Sequence, residues 1–265
     1  MRIRDWLSAG VVGLLIGGCA GMPTGASPET KAAVAPTGKL RVAFLSAVIF
    51  AIKDPATGEL KGVAVDLGKE LARRVGVPFE PVVYAAVSAL IGGAKSGEWD
   101  IVLTGIDADR AAAIDFSAPY MELEQGYLVR DGISIATVSD VDKAGIRIGV
   151  LEKAAADNLL SQTLKNAVLV RSKGIAELYA LLESGRADVI ATGKPGLFAV
   201  AAKQPGSRVL DGRILVEPIA MGVPKGRNVA AVYVGNFVEE AKADGLVKSV
   251  IERAGLRGVV VAPLK

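Results

Sequence analysis

The sequence predicts an α/β fold of two lobes, each a mainly parallel sheet flanked by helices, with the chain crossing twice between them. Three observations point there. Short apolar runs alternate with helical patterns from Leu40 onward, the alternation restarts after Tyr127-Leu128-Val129-Arg130, and an extended stretch, Ile214 to Val223, precedes two amphipathic helices that can return to the first series. Strand-helix units repeated in this way form parallel strands joined by right-handed crossovers.

The first series opens with a strand at Leu40 to Leu45. After the turn Asp54-Pro-Ala-Thr-Gly58 comes a helix near Val65 to Val75, and Val63, Leu67 and Leu71 fall four apart, a face suited to a sheet. Pro81 to Tyr84 reads as extended, and Val87, Leu90, Ile91 and Ala94 share a helix face. Ile101-Val102-Leu103-Thr104 has the character of a strand covered on both faces, ended by Gly105-Ile106. The second series pairs Arg147 to Leu151 with a helix near Ala154 to Thr163. It continues with Val168 to Arg171 and Ile175 to Leu182, then Ala187 to Ala191 and Pro195 to Ala202. Val229 to Ala243 and Leu246 to Ala254 read as the two returning helices. The expected lobes are 39–129 with 222–265, and 130–221.

Ahead of this body, Arg2 and Arg4 precede an apolar stretch from Trp6 to Ile16 that is too short for a permanent membrane span and reads as an export signal over 1–19. Residues 20–38 are rich in Ala, Pro, Gly, Ser and Thr without an apolar period, the composition of a flexible tether. The chain of 265 residues has no histidine and one cysteine, Cys19. Histidine-dependent triads and Cys/His metal clusters are therefore excluded, and no cofactor or metal is expected. A net charge of +3 is too small to argue for nucleic acid.

One residue stands out as chemistry. Arg110 follows the Ile101 strand, at the kind of strand end where ligands of open α/β sheets collect, and a guanidinium there can hold a carboxylate through two parallel bonds. A lone arginine in that place also suits an ion pair with Asp107, Asp109 or Asp115. Asp107 itself reads as a helix N-cap.

Trp99-Asp100-Ile101-Val102, Arg110 and Ile114-Asp115-Phe116-Ser117-Ala118-Pro119-Tyr120 together resemble the first-lobe motif of periplasmic solute-binding proteins of ABC importers, polar-amino-acid class. Lys39-Leu40-Arg41-Val42, Gly62 to Leu67, Arg147-Ile148-Gly149-Val150 and Gly185 to Ile190 follow in that family's order, so the resemblance runs from Lys39 to the end. It implies a two-lobed, type II periplasmic-binding-protein-like fold. It also implies a monomer that hands a small molecule to ABC permease subunits, and a carboxylate-binding role for Arg110. Ile16-Gly17-Gly18-Cys19 resembles the lipobox of bacterial lipoproteins, which implies acylation of Cys19 and a lipid anchor to a membrane at the periplasm or cell surface.

The sequence departs from the family's pattern at positions that choose the ligand. The segment before Arg110 is shorter and lacks the usual Ser/Thr-rich run, leaving Thr104 as the nearest hydroxyl. Where amino-acid binders carry an aspartate for the ligand's ammonium, this chain has Gly193, flanked by Thr192 and Lys194. Glu124, following what reads as a Pro119-Tyr120 turn, is the candidate replacement, and Lys194 facing the cleft would favour a second acidic group on the ligand. In Leu151-Glu152-Lys153-Ala154-Ala155 the family's Gly-Ser/Thr loop is absent, so backbone amides at the helix start, with Lys153, are the remaining donors. Phe50 resembles the family's aromatic wall and suits core packing equally. The reading is a receptor that binds a carboxylate-bearing solute, amino-acid-like or an organic acid, between closing lobes. The alternatives are an enzyme on the same scaffold, such as a cyclic-acid dehydratase using Glu124 or Glu152, and a receptor that signals to a separate membrane partner.

Overall fold

The computed structural model describes residues 25–265, so the export signal and Cys19 lie outside the described residues. The chain begins with α1 (Pro28–Val34), β1 (Leu40–Leu45), the hairpin strands β2 (Ile52–Lys53) and β3 (Leu60–Lys61), α2 (Val63–Val75), β4 (Phe79–Tyr84) and α3 (Val87–Ser96). It continues through β5 (Ile101–Gly105), the single turn α4 (Ala108–Ala111), the long strand β6 (Ile114–Val129), β7 (Arg147–Leu151), α5 (Ala155–Thr163) and β8 (Val168–Ser172). It closes with α6 (Ile175–Glu183), β9 (Val189–Gly193), α7 (Lys194–Ala201), β10 (Arg208–Val209), β11 (Leu215–Pro224), α8 (Asn228–Ala243), α9 (Leu246–Ala254) and β12 (Val259–Val261).

The strands run β4-β1-β5-β11-β6-β9-β7-β8 in one continuous sheet. β1 is parallel to β4 and β5 in the first lobe, and β7 is parallel to β8 and β9 in the second. The two antiparallel strands at the centre, β11 and β6, carry the chain between lobes. β6 pairs with β11 from Ile114 to Gln125, has β12 on its other edge at Met121 to Leu123, and from Gln125 pairs there with β9. On β11 the last partner is Leu215, opposite Gln125. The crossings thus fall near 125 and 215, ahead of the 129/130 and 221/222 boundaries expected from sequence. A strand that exchanges one sheet neighbour for another keeps its extended backbone, so the apolar pattern carries no mark of the change.

Two further expectations are corrected. Residues 28–34 of the supposed tether form α1, started by Pro28 and capped by Ser27, whose hydroxyl accepts from the Thr30 amide at 3.1 Å. Val34 and Ala35 are buried, and the helix packs on α8 and α2. No Pro119-Tyr120 turn exists, because both residues lie within β6. Pro119, which has no N–H to give to a ladder, sits opposite Ala220 where the β6–β11 register shifts.

Both lobes repeat one clamp. Arg41, in β1, donates from Nε and Nη2 to the Asp100 carboxylate at 3.0 and 2.8 Å, and Arg147, in β7, does the same to Asp188 at 3.0 and 2.6 Å. Each aspartate precedes the strand that follows on the sheet, β5 or β9, and also accepts the backbone amide of its arginine. The bidentate fork fixes the start of each strand pair. Behind it the strands are covered on both faces: Ile148, Val150, Val189 and Ala191 face one apolar cluster, while Leu151 and Ile190 face the other, which continues through the first lobe.

Candidate functional site

A cavity of about 60 Å³ lies between the lobes, bounded by the ends of β5, β7 and β9 and by the two crossing strands. On the same measure that is room for a few water molecules. Phe50, Ile49, Leu151 and Ile175 give it an apolar wall, and Thr104, Arg110, Gln125, Tyr179, Thr192 and Glu217 its polar groups. Phe50 belongs to the first-lobe core as well as to the wall. Its loop is held close by Gly62 (φ 146°), where a Cβ would stand 2.3 Å from the Phe50 carbonyl oxygen.

Arg110 is placed by α4, whose N-cap is Asp107 as the sequence suggests; Asp107 Oδ1 accepts the Arg110 amide at 2.9 Å. The guanidinium is buried. Nη1 donates to the Gly105 carbonyl at 2.8 Å, Nη2 to the Lys153 carbonyl across the cleft at 3.4 Å, and Nε is buried with no partner. In Arg41 and Arg147 the Nε–Nη2 edge grips a carboxylate; in Arg110 that edge carries none. The charged neighbour is Glu217, 3.6 Å from Nη1, and Asp107 meets the arginine through its main chain.

Glu217 and Gln125 were missed by sequence reading, although each interrupts an apolar strand and so signals a polar site inside the sheet. Gln125 donates from Nε2 to Glu217 Oε2 at 2.6 Å. Burial pushes the Glu217 carboxyl above its ordinary range, against the pull of Arg110 and Gln125. Tyr179, also missed, is a neutral phenol whose titration burial pushes up to about 12.

The pleat sets which side chains of β6 reach the cavity. Leu123 and Gln125 face the cavity, so Glu124 faces away from it, where it pairs with Lys194 at 2.6 Å and Arg213 at 3.2 Å. The hydrogen bond from Lys194, followed by that from Arg213, holds its carboxyl below the usual range despite some desolvation. Neither Glu124 nor Lys194 lines the cavity. Lys153 contributes its carbonyl, while its side chain borders a separate depression with Ser88 and Lys173. Its φ of 61° is unusual for a residue with a side chain. Thr104 and Thr192 stand in the cavity wall. The neighbouring Gly193 is packed by Leu123, 3.0 Å from where a Cβ would be, so no room is left for an aspartate there without movement. The first turn of α5 has no side-chain cap and begins beside Ala154, in the cavity wall, where backbone amides are the available donors. Asn158, on that helix, reaches across the cleft and donates to Asp107 Oδ2 at 2.7 Å.

Two lobes on a shared pair of strands, with a charged cavity where they meet, define a two-lobed binding protein for a small polar solute. The chain belongs to the bacterial extracellular solute-binding proteins, family 3, whose model matches residues 40–254. It is 24% identical over 201 residues to the ABC transporter glutamine-binding protein GlnH of Bacillus subtilis (strain 168), covering 74% of this chain and 73% of that one. Among solved structures it is similar to the ancestral amino acid-binding protein AncCDT-1, a precursor of cyclohexadienyl dehydratase. There the identity is 28% and the TM-score 0.74, over 84% of this chain and 98% of the other. The P235GK mutant of ArgBP from T. maritima is 25% identical with a TM-score of 0.75, over 85% and 99% of the two chains.

Proposed function

We propose that the protein is the extracytoplasmic receptor of an amino acid ABC importer, capturing a carboxylate-bearing solute between its lobes without altering it. The observation that carries this reading is the Nε–Nη2 edge of Arg110, which meets no carboxylate: Nη2 reaches only the Lys153 carbonyl at 3.4 Å and Nε has no partner. Arg41 and Arg147 hold carboxylates by that edge, whereas Arg110, a residue of the cavity lining, keeps a buried Nε unpartnered. The uncapped start of α5 adds amide donors beside it, Phe50 packs on the solute's apolar part, and Thr104 and Thr192 supply hydroxyls. Relatives named as glutamine- and amino acid-binding proteins support an amino acid as the solute. The enzyme reading loses its acids, since Glu124 is engaged by Lys194 and Arg213, and Glu152 is exposed outside the cavity. Acylation at Cys19, supported by the preceding Ile-Gly-Gly, anchors the receptor beside its permease.

The test is calorimetry after a thermal-shift screen against amino acids and organic acids. Removing Arg110 entirely strips a buried carboxylate of its counter-ion, so Arg110→Lys is the cleaner variant: it keeps the charge and loses the planar fork. Affinity is expected to fall at least about tenfold, or about 1.4 kcal/mol, with the folded state intact. Unchanged affinity for the solute that wild type binds would discard the assignment, and chromatographic appearance of a product would discard the receptor reading.

A further inference from the structure

We propose that Glu217 takes the ligand's ammonium group, so that the site selects zwitterionic α-amino acids over organic acids of the same shape. This rests on Arg110 as the carboxylate grip and adds the second half of the recognition.

Glu217 is the only carboxylate among the described residues that line the cavity. Position 193 has none and is packed by Leu123, and Glu124 lies on the opposite face of β6, paired with two cations. The carboxylate occupies a niche made for it at the end of β5. A Cβ on Gly105 would stand 1.8 Å from Glu217 Oε1 and 2.6 Å from its Cδ, so any larger residue at 105 would evict it. Its two oxygens are unequally served. Oε2 is held by Gln125 at 2.6 Å, whereas Oε1 has only the ion pair to Arg110 Nη1 at 3.6 Å, too long for a hydrogen bond. Gln125 fixes the group in place and leaves one oxygen able to accept.

Charge balance then chooses the ligand. With Glu217 ionised beside the guanidinium, 3.6 Å from Nη1, Arg110 and Glu217 together are neutral. A carboxylate added alone at the Nε–Nη2 edge of Arg110 would set two anions on one guanidinium inside a closed cavity, an uncompensated charge that burial penalises heavily. A carboxylate that brings an ammonium restores neutrality. Because Glu217 flanks the same guanidinium, a cation on the carbon next to the gripped carboxylate is the one that comes within its reach.

The experiment compares wild type, Glu217→Gln and Arg110→Lys by thermal shift and calorimetry. The probes are the twenty standard L-amino acids and, for each that binds, the deamino acid with hydrogen in place of the ammonium. Glu217→Gln is isosteric and can keep the contact to Gln125 after an amide flip, and circular dichroism checks its fold. Wild type is expected to prefer the amino acid by about a hundredfold or more; in Glu217→Gln the amino acid is expected to weaken at least about thirtyfold and the preference to shrink to within about threefold. Wild type binding deamino acids equally well, or Glu217→Gln keeping the preference, would overturn the assignment of Glu217 while leaving Arg110 standing. Arg110→Lys binding as wild type does would instead overturn the carboxylate grip. Binding of none of the probes to wild type would overturn both.

Discussion

Replacing Asn158 by alanine tests whether the lobes hold the ligand by closing on it. Asn158 lies outside the cavity wall, so its loss leaves the ligand's own contacts in place. Its amide joins α5 of one lobe to Asp107 of the other at 2.7 Å, and the second Asp107 oxygen caps the turn that carries Arg110. Hydrogen bonds to charged groups contribute about 1.5–3 kcal/mol. Asp107 is only half-buried and keeps its capping bond in the variant, so the lower figure applies, about 1.5 kcal/mol. That energy is present only when the lobes are together, and it shifts the closed population by roughly tenfold. Asn158→Ala is therefore expected to weaken ligand binding about tenfold, mostly through faster release in stopped-flow traces, with little change in the melting temperature of the unliganded protein. Asn158→Asp sets a second carboxylate against Asp107 and should weaken binding further. If both variants bind and release within about twofold of wild type, closure across this contact contributes nothing and the reasoning fails.

Two other predictions follow from the geometry. Glu124→Gln is expected to leave ligand affinity within about twofold of wild type by calorimetry while lowering thermal stability slightly, because the residue serves a partly exposed ion pair outside the cavity; a tenfold loss of affinity would return it to the site. The Glu70 carboxyl is held at about 2, first by the hydrogen bond from Arg73 and also by Arg74. Its folded-state value lies below its unfolded one, so the stabilisation is present above pH about 4.5 and is lost as pH falls toward 2. Since Arg73 is largely exposed, about 1 kcal/mol is expected once solvent screening is allowed for. Urea unfolding of wild type and Glu70→Gln should show that gap at pH 7 and see it close on acidification, and a gap independent of pH would refute the assignment.

Most of the fold was legible because its elements are local. β1 and β7 fall where the apolar runs place them, and α2 and α9 where the helical period does. The first half of β6 was not, since its mixture of Asp115, Ser117 and Pro119 lacks alternation and its strand character comes from pairing with β11. α1 was hidden by a composition typical of linkers, a short helix of 7 residues capped by Ser27 and sealed by Val34. Of the residues expected at the site, Arg110, Thr104, Thr192 and Phe50 border the interlobe cavity, the first singled out by its place after a buried strand. Glu124 and Lys194 were placed by nearness in sequence, and a one-residue step along a pleated strand sends a side chain to the other face. Glu217 and Gln125 were readable in principle as polar breaks in apolar strands, but only their pairing across β6 and β11 shows that they meet.

β6 remains bonded to β11 through the crossing, with Leu215 opposite Gln125. A joint built from such a two-stranded ribbon differs from one built from loops. Such a ribbon resists stretching and sideways shear and yields chiefly to torsion, so a swivel about one axis is the motion it leaves open to the two halves.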